Sequence, residues 1–87
     1  MGLGNVILGN AYIGPNVVIG NNCYILNNIS VQHDSVIGDH CYLATGVIIG
    51  AHVNVGNKVR FEIGSGVKSR IKVKDEIVIP AGSILSN

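Results

Sequence analysis

The sequence predicts an all-β protein, a parallel β-helix in which six-residue repeats wind into coils. Two observations carry this prediction: an apolar residue recurs every six positions along the whole chain, and turn-forming residues fall between these positions. An α-helix would need apolar residues at a period of 3.6, which this pattern does not contain. Short, branched segments separated by turns at a six-residue period are typical of a parallel β-helix.

Two series of residues are expected to fill the interior of the coils. The first series is apolar throughout and continues without an insertion: Met1, Ile7, Ile13, Ile19, Ile25, Val31, Ile37, Leu43, Ile49, Val55, Phe61, Val67, Val73, Ile79 and Leu85. The second lies four residues after the first and is made of small or branched residues: Ala11, Val17, Cys23, Ile29, Ser35, Cys41, Val47, Val53, Val59, Ser65, Ile71, Ile77 and Ser83. Such residues suit the narrow corners of a coil. Cys23 and Cys41 would stack closely enough to form a disulfide, but as small inward residues they are expected to be reduced and to fill the interior.

Turn-forming pairs separate the apolar positions. They are clearest in the first third of the chain, at Gly9-Asn10, Pro15-Asn16, Asn21-Asn22 and Asn27-Asn28. Asn and Gly tolerate positive φ, which tight corners require. These pairs therefore mark the corners between successive short strands.

The repeat resembles that of the hexapeptide-repeat acyltransferases, and the resemblance covers essentially the whole chain. In that family three hexapeptides make one triangular coil of a left-handed parallel β-helix. Residues 1–87 would then form a single β-helix domain of four to five coils, with about 18 residues in each. Residues 18 apart would stack in columns about 4.8 Å from each other. Two outer columns follow from this spacing, one of Asn16, Asp34, His52 and Arg70 and one of Asn22, His40, Lys58 and Glu76.

Length and composition limit the possible functions. The chain has 87 residues, enough for one small domain, with 47% apolar and 13% charged residues and a net charge of +1. The charge argues against a general attraction to nucleic acid or to an anionic membrane. No apolar run could span a bilayer, and two cysteines without an export signal indicate a cytoplasmic setting. The apolar content exceeds what a small monomer would expose, which favours a homotrimer.

One corner offers plausible chemistry. His33 follows an inward apolar position by two residues, so it is expected at a corner with its side chain outward. An outward imidazole can take up a proton near neutral pH. Asp34 beside it could orient the ring or stabilise the imidazolium. A surface histidine is nevertheless inert more often than catalytic.

The residues around this corner, VQHDSVIGDHCYLATG, resemble the signature of the sialic-acid and bacillosamine acetyltransferases, the NeuD/PglD-like enzymes. The resemblance implies an O- or N-acetyltransferase that uses acetyl-CoA and needs no metal. Its acceptor would be a small molecule of a class that includes sugars. In that family the histidine at the position of His33 is the general base, and the acidic residue at the position of Asp34 orients it. Both residues are therefore candidate catalytic residues.

The same resemblance assigns further residues to acetyl-CoA. The family's second histidine, which contacts the thioester, falls at Tyr42, whose hydroxyl could still donate a hydrogen bond. The main-chain amides of Gly50 and Ala51, one coil above His33, correspond to the donors that stabilise the oxyanion. His40 is expected to be a solvated turn residue. His52 could touch the cofactor or only cap its turn.

Coenzyme A would lie along the later coils, as in the family. All six basic residues fall between positions 58 and 74: Lys58, Arg60, Lys68, Arg70, Lys72 and Lys74. Lys68 and Arg70 are candidates for its phosphates, although a solvated outer face would have the same composition. Ile63 and Gly64 begin a short glycine-rich turn that could admit the pantetheine arm, a weak signal on its own.

Two other functions remain to be weighed. The family's enzymes normally carry an N-terminal nucleotide-sugar-binding domain, and the 87 residues contain none, so the chain could be a non-catalytic trimeric scaffold or binding module. The γ-carbonic anhydrases bind zinc on the same fold through three histidines, two of them in a His-x4-His spacing. His33, His40 and His52 lie seven and twelve residues apart, so this ligand spacing is absent.

Overall fold

The computed structural model describes residues 1–86. Fourteen two-residue strands alternate with four-residue corners along this part of the chain. They are β1 Val6–Ile7, β2 Tyr12–Ile13, β3 Val18–Ile19, β4 Tyr24–Ile25, β5 Ser30–Val31, β6 Val36–Ile37, β7 Tyr42–Leu43, β8 Ile48–Ile49, β9 Asn54–Val55, β10 Arg60–Phe61, β11 Gly66–Val67, β12 Lys72–Val73, β13 Val78–Ile79 and β14 Ile84–Leu85. No helix occurs in residues 1–86, and therefore none that could span a membrane.

The strands form three parallel sheets, here called faces 1, 2 and 3. Face 1 contains β1, β4, β7, β10 and β13, face 2 contains β2, β5, β8, β11 and β14, and face 3 contains β3, β6, β9 and β12. Each strand pairs with the strand one coil away at a register of 18 residues, as Val6 does with Tyr24 and Val36 with Asn54. The chain is thus a left-handed parallel β-helix of about four turns with about 18 residues per turn, which confirms the predicted fold class.

The apolar core runs along the axis of the coils and is made of the two predicted series. In each two-residue strand the second residue points inward, and from Ile19 to Ile79 this position is buried in every strand. Burial of one Val, Leu or Ile side chain contributes about 1.5–3 kcal/mol, so this column is the main source of stability. The ends depart from the expectation. Met1 is 71% exposed, and Ile7, Ile13 and Leu85 are only half-buried, because no further coil covers them.

Every corner contains one residue in the left-handed region, and these residues also recur every six positions. Their φ values lie between 55° and 79° at Gly4, Asn10, Asn16, Asn22, Asn28, Asp34, His40, Gly46, His52, Lys58, Gly64, Arg70, Glu76 and Gly82. Gly, Asn and Asp adopt this conformation at the lowest cost. The Asn-rich corners of the first coils are thus explained by backbone geometry, as predicted.

The three corners differ in what holds them together. Corner 1/2 comprises residues 8–11, 26–29, 44–47, 62–65 and 80–83, and corner 2/3 comprises residues 14–17, 32–35, 50–53 and 68–71. Corner 3/1 comprises residues 2–5, 20–23, 38–41, 56–59 and 74–77. In corner 3/1 an Asn or Asp Oδ1 accepts the amide N–H of the residue 18 positions earlier, at 2.8 Å in each of four successive steps. We call this column, made of Leu3, Asn21, Asp39, Asn57 and Asp75, the Asx ladder.

Candidate functional site

His33 and Asp34 meet at corner 2/3. Asp34 has a φ of 60°, and the tight turn directs its side chain back toward the preceding residue. His33 Nδ1 lies 2.8 Å from Asp34 Oδ2, although adjacent side chains in a chain need not touch. The His33 side chain is 51% exposed, so its ring stands on the outer surface as predicted.

This contact determines which nitrogen of His33 can act as a base. The hydrogen bond from His33 holds the pKa of Asp34 below its ordinary value, so the carboxyl group is ionised and can only accept. His33 Nδ1 must then carry the proton and donate it to the hydrogen bond. In the neutral ring the lone pair is consequently on Nε2, which is the atom that a general base needs.

His52 joins this pair from the next coil. Its Nε2 lies 3.8 Å from Asp34 Oδ2, and its ring stands at 88° to the His33 ring with 5.2 Å between the centroids. The sequence indicates the position of His52, since it follows Asp34 by 18 residues and so lies one coil above it, but not its contact with the pair.

The two amides predicted to stabilise an oxyanion are both engaged within the chain. Gly50 N donates to Val67 O at 2.9 Å, which is a rung of the sheet on face 2. Ala51 N donates to the Ser69 hydroxyl oxygen at 3.0 Å. The hydrogen bond of Gly50 N–H belongs to the β-sheet, so breaking it would separate two coils. The Ser69 hydroxyl that accepts from Ala51 can instead rotate away. Of the two amides, only that of Ala51 is therefore suited to bind a transient oxyanion.

Lys68 and Arg70 lie at the same corner as His33, two coils further along the axis. Arg70 also borders an open cavity of about 400 Å³ at the C-terminal end of the coils. Lys72 and Lys74 also line this cavity, together with apolar residues that include Ile71. Corner 2/3 thus presents the histidine pair and, one to two coils further on, Lys68 and Arg70.

Tyr42, Ile63 and Gly64 lie on other parts of the coil. Tyr42 is in β7 on face 1, where the Arg60 guanidinium carbon sits 4.3 Å from the centroid of its ring. Ile63 and Gly64 are at corner 1/2. Tyr42 is far from His33 because it follows His33 by nine residues, which is half a turn of an 18-residue coil. Within one chain these three residues do not share a site with His33.

Potential metal ligands are also concentrated at corner 2/3. His33, Asp34 and His52 each offer one donor atom, and these atoms lie within 4.8 Å of one another. His40 does not belong to this cluster, because it lies at corner 3/1. The three histidines of the chain therefore do not form one zinc site, in agreement with their spacing.

The cysteines pack in the interior, as predicted. Cys23 and Cys41 are buried free thiols in successive coils of one inner column. Their Sγ atoms donate to the carbonyl oxygens of Gly38 and Gly56, at 3.1 and 3.2 Å. Burial raises the pKa of both thiols, that of Cys41 to about 11. A nucleophilic role is thereby disfavoured, since the thiolate is the reactive form.

The 18-residue coil and its six-residue corner period place the chain among the hexapeptide-repeat β-helix proteins. Within this class, residues 2–87 match the family model described as GMPPB C-terminal domain, and the chain belongs to this family. That domain is a β-helix domain of a nucleotidyltransferase. No curated protein and no solved structure matches the chain. The family match supports the fold and leaves the closer resemblance to the NeuD/PglD-like group as a hypothesis.

Proposed function

We propose that this domain transfers an acetyl group from acetyl-CoA to an amine or hydroxyl of a small acceptor, with sugars as the acceptor class that the sequence resemblance implies. The contact between His33 Nδ1 and Asp34 Oδ2 at 2.8 Å carries the proposal. It supplies an outward imidazole with one defined basic nitrogen and a carboxylate behind it. This is the arrangement that removes a proton from a weakly acidic nucleophile.

In the proposed reaction His33 Nε2 takes the proton of the acceptor as its nitrogen or oxygen attacks the thioester carbonyl carbon. Asp34 stabilises the imidazolium that forms. The tetrahedral intermediate carries a negative oxygen, and the Ala51 amide binds it after the Ser69 hydroxyl has rotated away. When the intermediate collapses, the C–S bond breaks, and the departing thiolate takes the proton from His33. The products are the acetylated acceptor and coenzyme A.

Acetyl-CoA binding is proposed along corner 2/3. Lys68 and Arg70 would bind its phosphates, since both are basic and lie on the same corner as His33. The contacts proposed for Tyr42, Ile63 and Gly64 need a second chain, because these residues lie on face 1 and at corner 1/2 of their own chain. The reaction therefore belongs to a groove between two chains.

A homotrimer would supply such grooves. Large apolar side chains point outward and are exposed on all three faces, among them Tyr12, Ile48 and Ile84 on face 2 and Tyr24 and Val78 on face 1. Association of the β-helices side by side would remove part of this surface from water. Sedimentation equilibrium measures the mass directly. A monomer at all concentrations would remove the proposed inter-chain site.

The experiment for this function has two steps. Calorimetric titration with acetyl-CoA and with coenzyme A should give micromolar binding that weakens when Lys68 and Arg70 are both replaced by Ala. Release of free thiol from acetyl-CoA is then followed with a panel of amino sugars. His33→Ala should lower the rate about 100-fold or more, because general-base catalysis contributes about 10²–10⁴. His40→Ala is the matched control, and equal rates for the His33 variant and the parent would eliminate the mechanism.

The second candidate is a non-catalytic scaffold or binding module. The family match over residues 2–87, to a β-helix domain of a nucleotidyltransferase, favours it. A scaffold of this kind would assemble through its exposed apolar faces and would have no use for coenzyme A. Absence of both binding heat and thermal stabilisation at millimolar acetyl-CoA, in a protein that still forms trimers, would select this function over acetyl transfer.

A further inference from the structure

His52 has no part in the reaction proposed above, yet three contacts tie it to His33 and Asp34. Its backbone N–H donates to the carbonyl oxygen of His33 at 3.1 Å, which fixes one corner directly above the other. Its ring stands edge-on to the His33 ring, with 5.2 Å between the centroids. Its Nε2 lies 3.8 Å from the Asp34 Oδ2 atom that accepts the hydrogen bond from His33.

His33 needs such a neighbour because its own corner leaves it free to turn. The side chain is 51% exposed, and its hydrogen-bonding partner is the next residue in the chain, whose side chain is 38% exposed. Rotation of the imidazole by half a turn about its bond to Cβ would put the Cδ2 carbon where Nδ1 stands, and the hydrogen bond to Asp34 that holds the proton on Nδ1 would be lost. Only the orientation with Nδ1 on Asp34 leaves Nε2 as the basic atom facing the acceptor.

The position of His52 is itself well defined. It adopts a φ of 55° in the same column as Asn16, Asp34 and Arg70, and each of these residues has a φ between 55° and 65°. Along this column Asn16 lies one coil before Asp34, His52 lies one coil after it, and Arg70 lies one coil after His52. The backbone ladder therefore places His52 directly above Asp34, and its ring reaches the neighbouring His33 ring.

We propose that His52 is a positioning residue for His33: its ring blocks rotation of the His33 imidazole and its Nε2 lies beside the Asp34 carboxylate, so that His33 keeps its proton on Nδ1. The effect on His33 is a property of the free protein. Only its kinetic consequence rests on the proposed acetyl transfer. His52 itself touches neither the acceptor nor the thioester in this scheme.

The test compares matched variants by long-range ¹H–¹⁵N NMR of the imidazole nitrogens, which distinguishes the two tautomers of a neutral histidine. His52→Asn removes the ring but keeps a residue that suits positive φ, so the backbone is undisturbed. His40→Asn makes the same change at a φ of 57° in corner 3/1 and is the control. His52→Gln restores a donor nitrogen close to the position of Nε2.

The expected result is a single Nδ1–H tautomer of His33 in the parent and in His40→Asn, a mixture of tautomers in His52→Asn, and partial return of the single form in His52→Gln. If His33 shows the same tautomer in His52→Asn as in the parent, the proposal is wrong. In the transfer assay His52→Asn should lower kcat about tenfold, a part of what general-base catalysis supplies, with KM for acetyl-CoA unchanged.

These readouts separate the two proposals. A tautomer shift in His52→Asn, in a protein that transfers no acetyl group, would refute the proposed function and leave the role of His52 standing. A normal tautomer and a normal kcat in His52→Asn, in a protein that does transfer acetyl groups, would refute only the role of His52. A parallel loss of kcat in His40→Asn would also count against it, because the effect would then come from the substitution in a corner.

Discussion

Asn57 lies one coil above Asp39, and its side-chain Oδ1 accepts the backbone N–H of Asp39 at 2.8 Å. The backbone N–H of Asn57 in turn donates to Oδ1 of Asp75, also at 2.8 Å. Corner 3/1 is thus held by a continuous column in which each side chain satisfies the backbone of the coil before it. Backbone bonds, such as that from Lys58 N–H to the carbonyl oxygen of Asp39 at 2.8 Å, also join successive coils here, and the Asx ladder adds a side-chain bond at each step.

Replacing Asn57 by Ala should destabilise the protein by about 1 kcal/mol, the usual net value of one hydrogen bond. The amide of Asp39 would lose its partner, and exposure to water would recover only part of the loss. Urea unfolding measures the change. Asn27→Ala is the control, because Asn27 holds the same place in its turn at corner 1/2. Equal effects of the two variants would show that the ladder contributes nothing beyond the turn.

The Asx ladder also explains the glycines that precede it. A Cβ added to Gly38 would lie 2.5 Å from both Asn57 Oδ1 and the carbonyl oxygen of Gly56, well inside van der Waals contact. Gly38→Ala should therefore cost about 1–3 kcal/mol, as overpacking usually does. Gly9→Ala meets nothing within 4 Å and has no positive φ, so it should be neutral or slightly stabilising. The comparison is made by thermal unfolding, and a neutral Gly38 variant would mean that the ladder is easily displaced.

The fold could be predicted from the sequence because one physical requirement repeats. Each strand needs an apolar residue at its inward position, and each corner needs one residue that tolerates positive φ. Both kinds of residue therefore recur every six positions in the sequence. The pattern does not distinguish the first and last inward positions from the rest. Met1 is exposed and Leu85 is half-buried, because burial at an inward position needs a coil on each side of it.

The candidate site was less accessible to sequence reasoning. His33 and Asp34 could be proposed from their place at a corner and from the resemblance. The contact of His52 with Asp34 depends on two side chains turning toward each other across coils, which spacing allows but does not require. The engagement of the Ala51 amide by Ser69 was equally hidden, because it depends on the rotamer of one hydroxyl.

The buried thiol of Cys41 should make stability depend on alkaline pH. Burial raises its pKa from 9.0 to about 11, so the folded state favours the neutral thiol more than the unfolded state does. This contribution is complete below pH 9 and is lost progressively as the pH rises toward 11. It is on the order of 2 kcal/mol for a shift of this size.

The measurement is the free energy of unfolding of the parent and of Cys41→Ala at pH 8 and at pH 10.5. The variant retains Cys23, whose pKa burial also raises, and it should lose less stability over this range than the parent. The cavity left by the missing sulfur lowers stability equally at both pH values. Identical pH dependence in the two proteins would show that the Cys41 thiol does not ionise differently on unfolding.

Asp34→Asn should slow acetyl transfer about tenfold or more, because a neutral amide can accept the hydrogen bond but cannot stabilise the imidazolium formed on His33. Asn suits the φ of 60° at this position, so folding should be unaffected. The hydrogen bond from His33 lowers the pKa of Asp34, and any stability that this group contributes is present above its ordinary value of 3.8 and is lost as the pH falls through the lowered value. The carboxylate therefore stays ionised from pH 5 to 8. The kcat values of parent and variant are compared over that range, and equal values at every pH would show that the Asp34 carboxylate has no role in the transfer.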